Sequence, residues 1–258
     1  MENFKILNPG GNKTALVIGN KYTDKQKSQI NAKILKQNLD VEQVGFIDTK
    51  ENKLEMAGGE FCINATRCAI WNYLNGQEGK IKLEVSGYKS KIIGGITKAK
   101  DVYVNMKINK KMDNILHIKG IFNLVNLDGI LLAVVNENDS INFIKNLRKN
   151  ENKSKGELKE LMKTFVTEEK AVGIILLENE NGKIKINPII WVKTVDTLYY
   201  ETACGSGSLA TAIYKKYAEG IEKIDILQPS GYSININLKM QNDYIKEAVV
   251  QGKVLEEE

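Results

Sequence analysis

The chain has 258 residues, 42% hydrophobic and 27% charged, with a net charge of +5. That is room for one large domain or two modest lobes with a sizeable core, and no run of about 18 apolar residues marks a membrane-spanning helix. The positive charge is lysine spread along the chain, with arginine only at Arg67 and Arg148, so the basic stripe and interleaved aromatics of a nucleic-acid binder are missing.

In chain order, apolar or alternating runs predict strands at Lys13 to Ile18, Gln43 to Ile47, Lys80 to Val85, Asp101 to Ile108, Ile130 to Val135, Val172 to Leu177, Lys183 to Trp191, Ile224 to Leu227, Ser233 to Leu238 and Ile245 to Val250. Helices are expected at Thr23 to Gln37, which opens on a cap-like Thr-Asp, at Asn64 to Leu74 and at Ser206 to Ala218. Asp139 to Asn150 and Ser154 to Val166 read as surface helices. Only three prolines occur, and no linker divides the chain. Met1 to Lys5 lacks the apolar stretch of a secretory signal, so the cytoplasm is the expected compartment. Three cysteines make an odd count, which argues against a disulfide framework. A single histidine and no Cys-x-x-Cys pair leave little for zinc, so no metal site is expected.

A weak internal repeat runs through the sequence. Val44-Gly45-Phe46-Ile47, Cys62 and Ser86-Gly87-Tyr88 find counterparts in Val172-Gly173-Ile174-Ile175, Cys204 and Ser230-Gly231-Tyr232. The cysteine-to-serine spacings are 24 and 26 residues; the Val-Gly-to-cysteine spacings are 18 and 32, so a duplication needs an insertion.

Both cysteines fall at or just before the first turn of a predicted helix. Free backbone N–H groups and the positive dipole end there favour a thiolate, and they can also hold an anion such as an α-carboxylate. Two such helix starts aimed at one point would grip a carboxylate from both sides and present one thiol to each face of the neighbouring Cα. Inversion at Cα needs such a pair, because a proton leaves one face and another arrives on the opposite face. The bland alternative is that all three cysteines are small buried hydrophobes, as free cysteines usually are. Cys68 lies six residues beyond Cys62, about 600° around a helix, and reads as core.

The motif Cys62-x-Asn64-x-x-Arg67-Cys68 resembles the first signature of the diaminopimelate epimerases, and Ala203-Cys204-Gly205-Ser206-Gly207 their second. The chain is similar, more closely, to the histidine racemases of staphylopine-type metallophore pathways. Asn8 to Asn12, Glu42 to Ile47, Gly59 to Thr66, Val85 to Gly87, Cys204 to Gly207 and Gln228-Pro229-x-Gly231 carry that similarity over nearly the whole chain. The resemblance implies an α+β fold of two pseudo-symmetric lobes, each a curled β-sheet around a central helix, with the site between them. The lobes would be residues 1-115, with a C-terminal strand at about 248-258 returning to them, and 116-247. It implies Cys62 and Cys204 as the acid/base pair, with Asn12, Gln43, Ile63, Asn64, Glu201, Gly205 and Ser206 contacting substrate. It implies no cofactor.

Several residues depart from the pattern. Ile63 stands where the family has glycine. His117 is not placed like the family's histidine and reads as structural. Lys193 to Thr197 lacks the arginine that diaminopimelate epimerases use to read a distal carboxylate, which counts against that substrate. The expected activity is a cofactor-independent amino-acid racemase, histidine leading, with Phe61, Trp191 and Tyr199 available to face an imidazole. The rivals are a diaminopimelate epimerase, and a racemase of another free amino acid, where lysine or ornithine suffers from want of an acidic pocket. A catalytically silent binding protein and, remotely, a metal-handling protein complete the set. The expected partner is a small amino-acid substrate, with no nucleic acid and no membrane; a homodimer is the one assembly allowed for.

Overall fold

The computed structural model describes residues 3–19, 22–147 and 151–257. Arg148 and the end of the helix expected at Asp139 to Asn150 lie outside them.

The first half opens with an antiparallel pair, β1 (Phe4–Asn8) and β2 (Lys13–Ile18). Helix α1 (Asp24–Gln37) crosses over to β3 (Val41–Asp48), parallel to β2. Its start is fixed by a capping box, the Thr23 hydroxyl taking the Gln26 amide while the Gln26 side chain takes the Thr23 amide. β4 (Lys53–Met56) turns back, helix α2 (Ile63–Tyr73) follows, and β5 (Gly79–Val85) lies parallel to β4. β6 (Ile92–Ile96) and β7 (Asp101–Lys111) complete the sheet antiparallel.

After the short α3 (Met112–Ile115) and β8 (Leu116–Lys119), the same order returns. β9 (Phe122–Leu127) pairs antiparallel with β10 (Ile130–Val135). Helices α4 (Glu137–Leu147) and α5 (Glu151–Lys163) cross to β11 (Ala171–Glu180), parallel to β10. β12 (Lys183–Val192) turns back, with the short β13 (Thr197–Tyr200) on its edge. Helix α6 (Gly205–Glu219) follows, then β14 (Lys223–Leu227), parallel to β12, and β15 (Ser233–Gln241) and β16 (Tyr244–Lys253). β2-α1-β3-β4-α2-β5 is thus matched by β10-α4-α5-β11-β12-α6-β14. The insertion that the repeat required is the longer β11–β12 hairpin together with β13.

Each sheet curls around a helix whose first two turns are buried on every side. Residues Ile63 to Ile70 of α2 are buried without a break, as are Gly205 to Ile213 of α6. A helix buried all round belongs at the centre of a lobe. β16 pairs with β15 on one side and β7 on the other, joining the lobes, and β17 (Leu255–Glu256) ends beside β1. The helices expected on the surface cover the outer face of β10 and β11. There Leu158, Met162 and Phe165 pack with Leu131, Ala133, Val172 and Ile174. This explains why β10 and β11 read as unbroken apolar runs, since both of their faces are covered.

Strands β1, β4, β6, β8, β9 and β13 were not expected from the sequence, whereas β16 and β17 fall on the C-terminal strand expected to return to the first lobe. β6 carries Gly94 and Gly95 in its middle, which hides its pattern. A Cβ on Gly94 would stand 2.2 Å from Ile70 Cδ1, so the central helix needs glycine there. Among the described residues no helix is long and apolar enough to cross a membrane.

Candidate active site

Cys62 and Cys204 are the N-cap residues of the two central helices. Both have extended backbones, φ −130° and −141°. Each thiol accepts from the amide three residues on: Cys62 Sγ from Ala65 at 3.4 Å, Cys204 Sγ from Gly207 at 3.2 Å. Each cysteine carbonyl accepts from the hydroxyl four residues on, Thr66 or Ser208, at 2.7 Å. The Ser-Gly-Tyr segments brace both approaches. Ser86 Oγ donates to the Glu60 carbonyl at 2.8 Å, and Ser230 N donates to the Thr202 carbonyl at 2.9 Å. Each of these carbonyls lies two residues before its cysteine. Gly87, at φ +72°, passes so close that a Cβ would stand 2.4 Å from Phe61 N.

The two helix starts face each other. A Cβ on Gly205 would meet Ile63 Cγ2 at 2.8 Å. The small residue on α6 therefore makes room for the isoleucine that replaces glycine on α2. Asn12 Nδ2 and Asn64 Nδ2 both donate to the Ala203 carbonyl, at 3.0 and 3.1 Å. Arg67, fully buried, donates through Nη2 to Asn64 Oδ1 at 2.9 Å and to the Pro9 carbonyl at 2.6 Å. The first half of the chain thereby holds the residue before Cys204. Gln228 holds Cys204 itself, accepting from its amide at 2.9 Å.

All nine residues singled out for catalysis or binding line one small cavity of about 40 Å³, with Glu60, Phe61, Ile130, Ala171, Ile190 and Val192 completing the wall. That is room for a water or two, so the cleft is narrow. Some of the nine are already engaged. Gln43 donates to Thr14 Oγ1 at 2.7 Å and accepts from the Cys62 thiol at 3.0 Å, so it orients that thiol. The amide nitrogens of Asn12 and Asn64 are committed to Ala203. A second cavity of the same size adjoins, sharing Gln43, Glu60, Ile190, Val192 and Glu201. A larger depression of about 410 Å³ lies on the outer face of the first lobe, where Lys27 and Lys53 pair with Glu55 at 2.5 and 2.7 Å. None of the three cysteines lines it.

Three findings correct the sequence reading. The helix starts do not leave the thiols acidic. Burial, then the Glu201 carboxyl nearby, pushes Cys62 well above the ordinary thiol range, and burial with Glu201 does the same to Cys204. The amides at each helix start pull the other way and lose. Trp191 does not face the cleft: it packs under α5, donating to Asp196 at 2.9 Å, with Lys159 above its ring. Phe61 lines the first cavity and Tyr199 the second.

The third correction is that acidic side chains surround the site. Glu60 is buried, and burial raises its carboxyl to about 7. Glu201 reaches about 8, raised mainly by burial, and lies against the Cys204 thiol. Glu42 accepts from the amide and hydroxyl of Thr202. Neither Glu60 nor Glu42 was picked out from the sequence.

The family model of the histidine racemase CntK N-terminal domain matches residues 2–255. The chain belongs to the histidine racemase family. It is an isomerase, a racemase by kind. The histidine racemase of Fusobacterium nucleatum is 31% identical over 262 residues, spanning 97% of this chain and 95% of that one. That of Staphylococcus aureus is 24% identical over 268 residues, spanning 97% and 93%. The solved hydroxyproline epimerase of Agrobacterium vitis, with bound trans-4-hydroxy-L-proline, matches with a TM-score of 0.59 at 11% identity, over 98% of this racemase and 88% of that chain. A phenazine biosynthesis protein of the PhzF family from Enterococcus faecalis matches with 0.59 at 12% identity, over 98% and 95%. At such identities these two establish the two-lobed fold of the racemase. His117, on the edge strand β8, is exposed and takes no part in the cleft.

Proposed function

We propose that this racemase inverts the α-carbon of free histidine, with Cys62 and Cys204 as the paired base and acid. The observation that carries the reading is that both cysteines cap helices whose first turns touch. The substrate α-carboxylate would sit on the first-turn amides of Ile63, Asn64, Gly205 and Ser206, donors that no intrahelical bond uses. Its Cα would then lie between the two sulfurs. One thiolate removes the proton, the opposite thiol supplies another, and the amides stabilise charge as it spreads onto the carboxylate. Glu201, against Cys204, is placed to hold or return a thiol proton. An amino acid needs more room than the narrow cleft offers, so the lobes would part to admit substrate. The same reading divides the chain into residues 1-115 with 248-258, and 116-247.

Histidine rests on the relatives at 31% and 24% identity. A second reading, lysine or ornithine, is favoured by the ring of Glu42, Glu60 and Glu201, which supplies the acidic surroundings such a side chain needs. Comparing kcat/KM for L-histidine, L-lysine, L-ornithine and LL-diaminopimelate decides among them. Histidine should lead; a clear preference for diaminopimelate would end this reading.

The pH profile tests the thiol chemistry. Burial holds both thiols in the protonated form, with Glu201 beside each, Gln43 and Glu60 beside Cys62, Lys170 acting on Glu60 and the Arg67 guanidinium acting on Cys62. The reactive form needs one thiolate, so kcat/KM should climb between pH 7 and 8.5 by up to about tenfold per unit, without levelling at the ordinary thiol value of about 8.5. A flat profile over that range would show the thiolate already formed.

A further inference from the structure

We propose that the second cavity is the compartment for the substrate side chain, and that Glu60 is the residue that selects a basic side chain there. The proposal rests on the reading that the first cavity takes the α-carbon of a free amino acid.

Glu60 stands in the wall between the two cavities. Its Oε2 is buried and has no hydrogen-bond partner among the described residues. This oxygen lies beside Gly58, on the second cavity: a Cβ there would stand 2.6 Å from it. Glycine keeps that space for the carboxylate. Glu201, in the same shared wall, also has an unpartnered buried Oε2. The ammonium of Lys170 donates to the Gly59 carbonyl at 3.2 Å. Two buried carboxyl oxygens without a partner among the described residues call for a ligand that brings N–H groups, and a buried carboxylate favours a cationic one. The remaining wall offers Ile190, Val192, Val195 and the Tyr199 ring, flat and apolar enough for a small heteroaromatic ring. An imidazole that enters protonated would satisfy both.

The test compares L-histidine with L-glutamine, which is polar but never cationic, by Cα-deuterium exchange and by direct calorimetric titration. In Glu60→Gln, the KM for histidine should rise about tenfold or more, the loss of a hydrogen bond to a charged group, while kcat stays within about threefold. Glutamine should be little affected, so the preference for histidine collapses. Glu60→Asp keeps the charge and should keep the preference at a weaker affinity. A merely structural role would weaken both amino acids alike. The titration is done in the Cys62→Ser background, with and without Glu60→Gln. If no free amino acid is turned over by the unaltered protein, yet Glu60→Gln still costs histidine tenfold in affinity, the compartment stands and the thiol reading falls. Unchanged histidine binding in Glu60→Gln, or a collapse of kcat with KM intact, would overturn the proposal.

Discussion

Serine in place of Cys62 or Cys204 should lower racemisation by about a thousandfold or more, in both directions at once. A hydroxyl is far too weak an acid to serve as base at neutral pH, and general acid–base catalysis is worth about 10² to 10⁴ per group. Neither direction runs with one partner missing, because each turnover uses both faces of Cα. A substrate analogue with a leaving group on Cβ separates chemistry from misfolding. Elimination of HX needs only one base, so each single variant should still eliminate from the enantiomer whose proton faces its remaining thiol. Cys68→Ser should leave turnover in place and cost stability, since Cys68 is fully buried in the first core with its thiol pushed up to about 12 by burial. Retained racemisation in Cys62→Ser would refute the pairing outright.

Arg67→Ala should destabilise the fold by about 3–5 kcal/mol, the loss expected when a buried charged partner and a large side chain go together. For a chain of this size that is a fall of roughly 10 °C in Tm. Arg67 is fully buried, and among the described residues carbonyls and one amide oxygen accept its hydrogen bonds. Its guanidinium reaches Pro9, Asn64 and, at 3.4 Å, the Lys253 carbonyl. Burial brings it down to about 10, which leaves it charged at neutral pH. Without it, two backbone carbonyls and Asn64 lose their donor. The loop before Asn12, helix α2 and the end of β16 are then no longer tied. Activity should fall further than stability alone explains, because Asn64 would no longer be held on the Ala203 carbonyl. Thermal unfolding together with kcat at a temperature where the variant is folded measures both; a Tm change under about 2 °C would contradict the assignment.

The regular parts of the fold were legible wherever the pattern was local. Lys13–Ile18 and Ile130–Val135 match their predicted strands residue for residue, and the two central helices start one residue earlier than expected. The short strands β4, β8 and β13 escaped because four residues carry too little periodicity; their pairing is imposed by neighbours. The repeat was readable from Val-Gly, Cys and Ser-Gly-Tyr, whose shared job, bracing the chain before each cysteine, appears only in three dimensions. Site placement was legible because helix starts are written in Gly, Asn and Ser. Site electrostatics were not. Desolvation depends on what the rest of the chain packs around a thiol, and it reverses the effect expected from a helix start. Glu60 stands inside the matching stretch Gly59 to Thr66, yet nothing in the sequence assigns it a role; its burial comes from the packing around it.

The two halves of the site are alike in backbone and unlike in company. Cys62 keeps partial exposure and donates to Gln43, whereas Cys204 is buried against Glu201. Enantiomers are equal in free energy in water, so the Haldane relation fixes the ratio of kcat/KM for the two directions at one, whatever the protein does. The imbalance between a neutral amide beside one sulfur and a carboxyl beside the other therefore cannot favour either product at equilibrium. It can only be divided between saturation and turnover: the enantiomer that binds more tightly must convert more slowly, by the same factor.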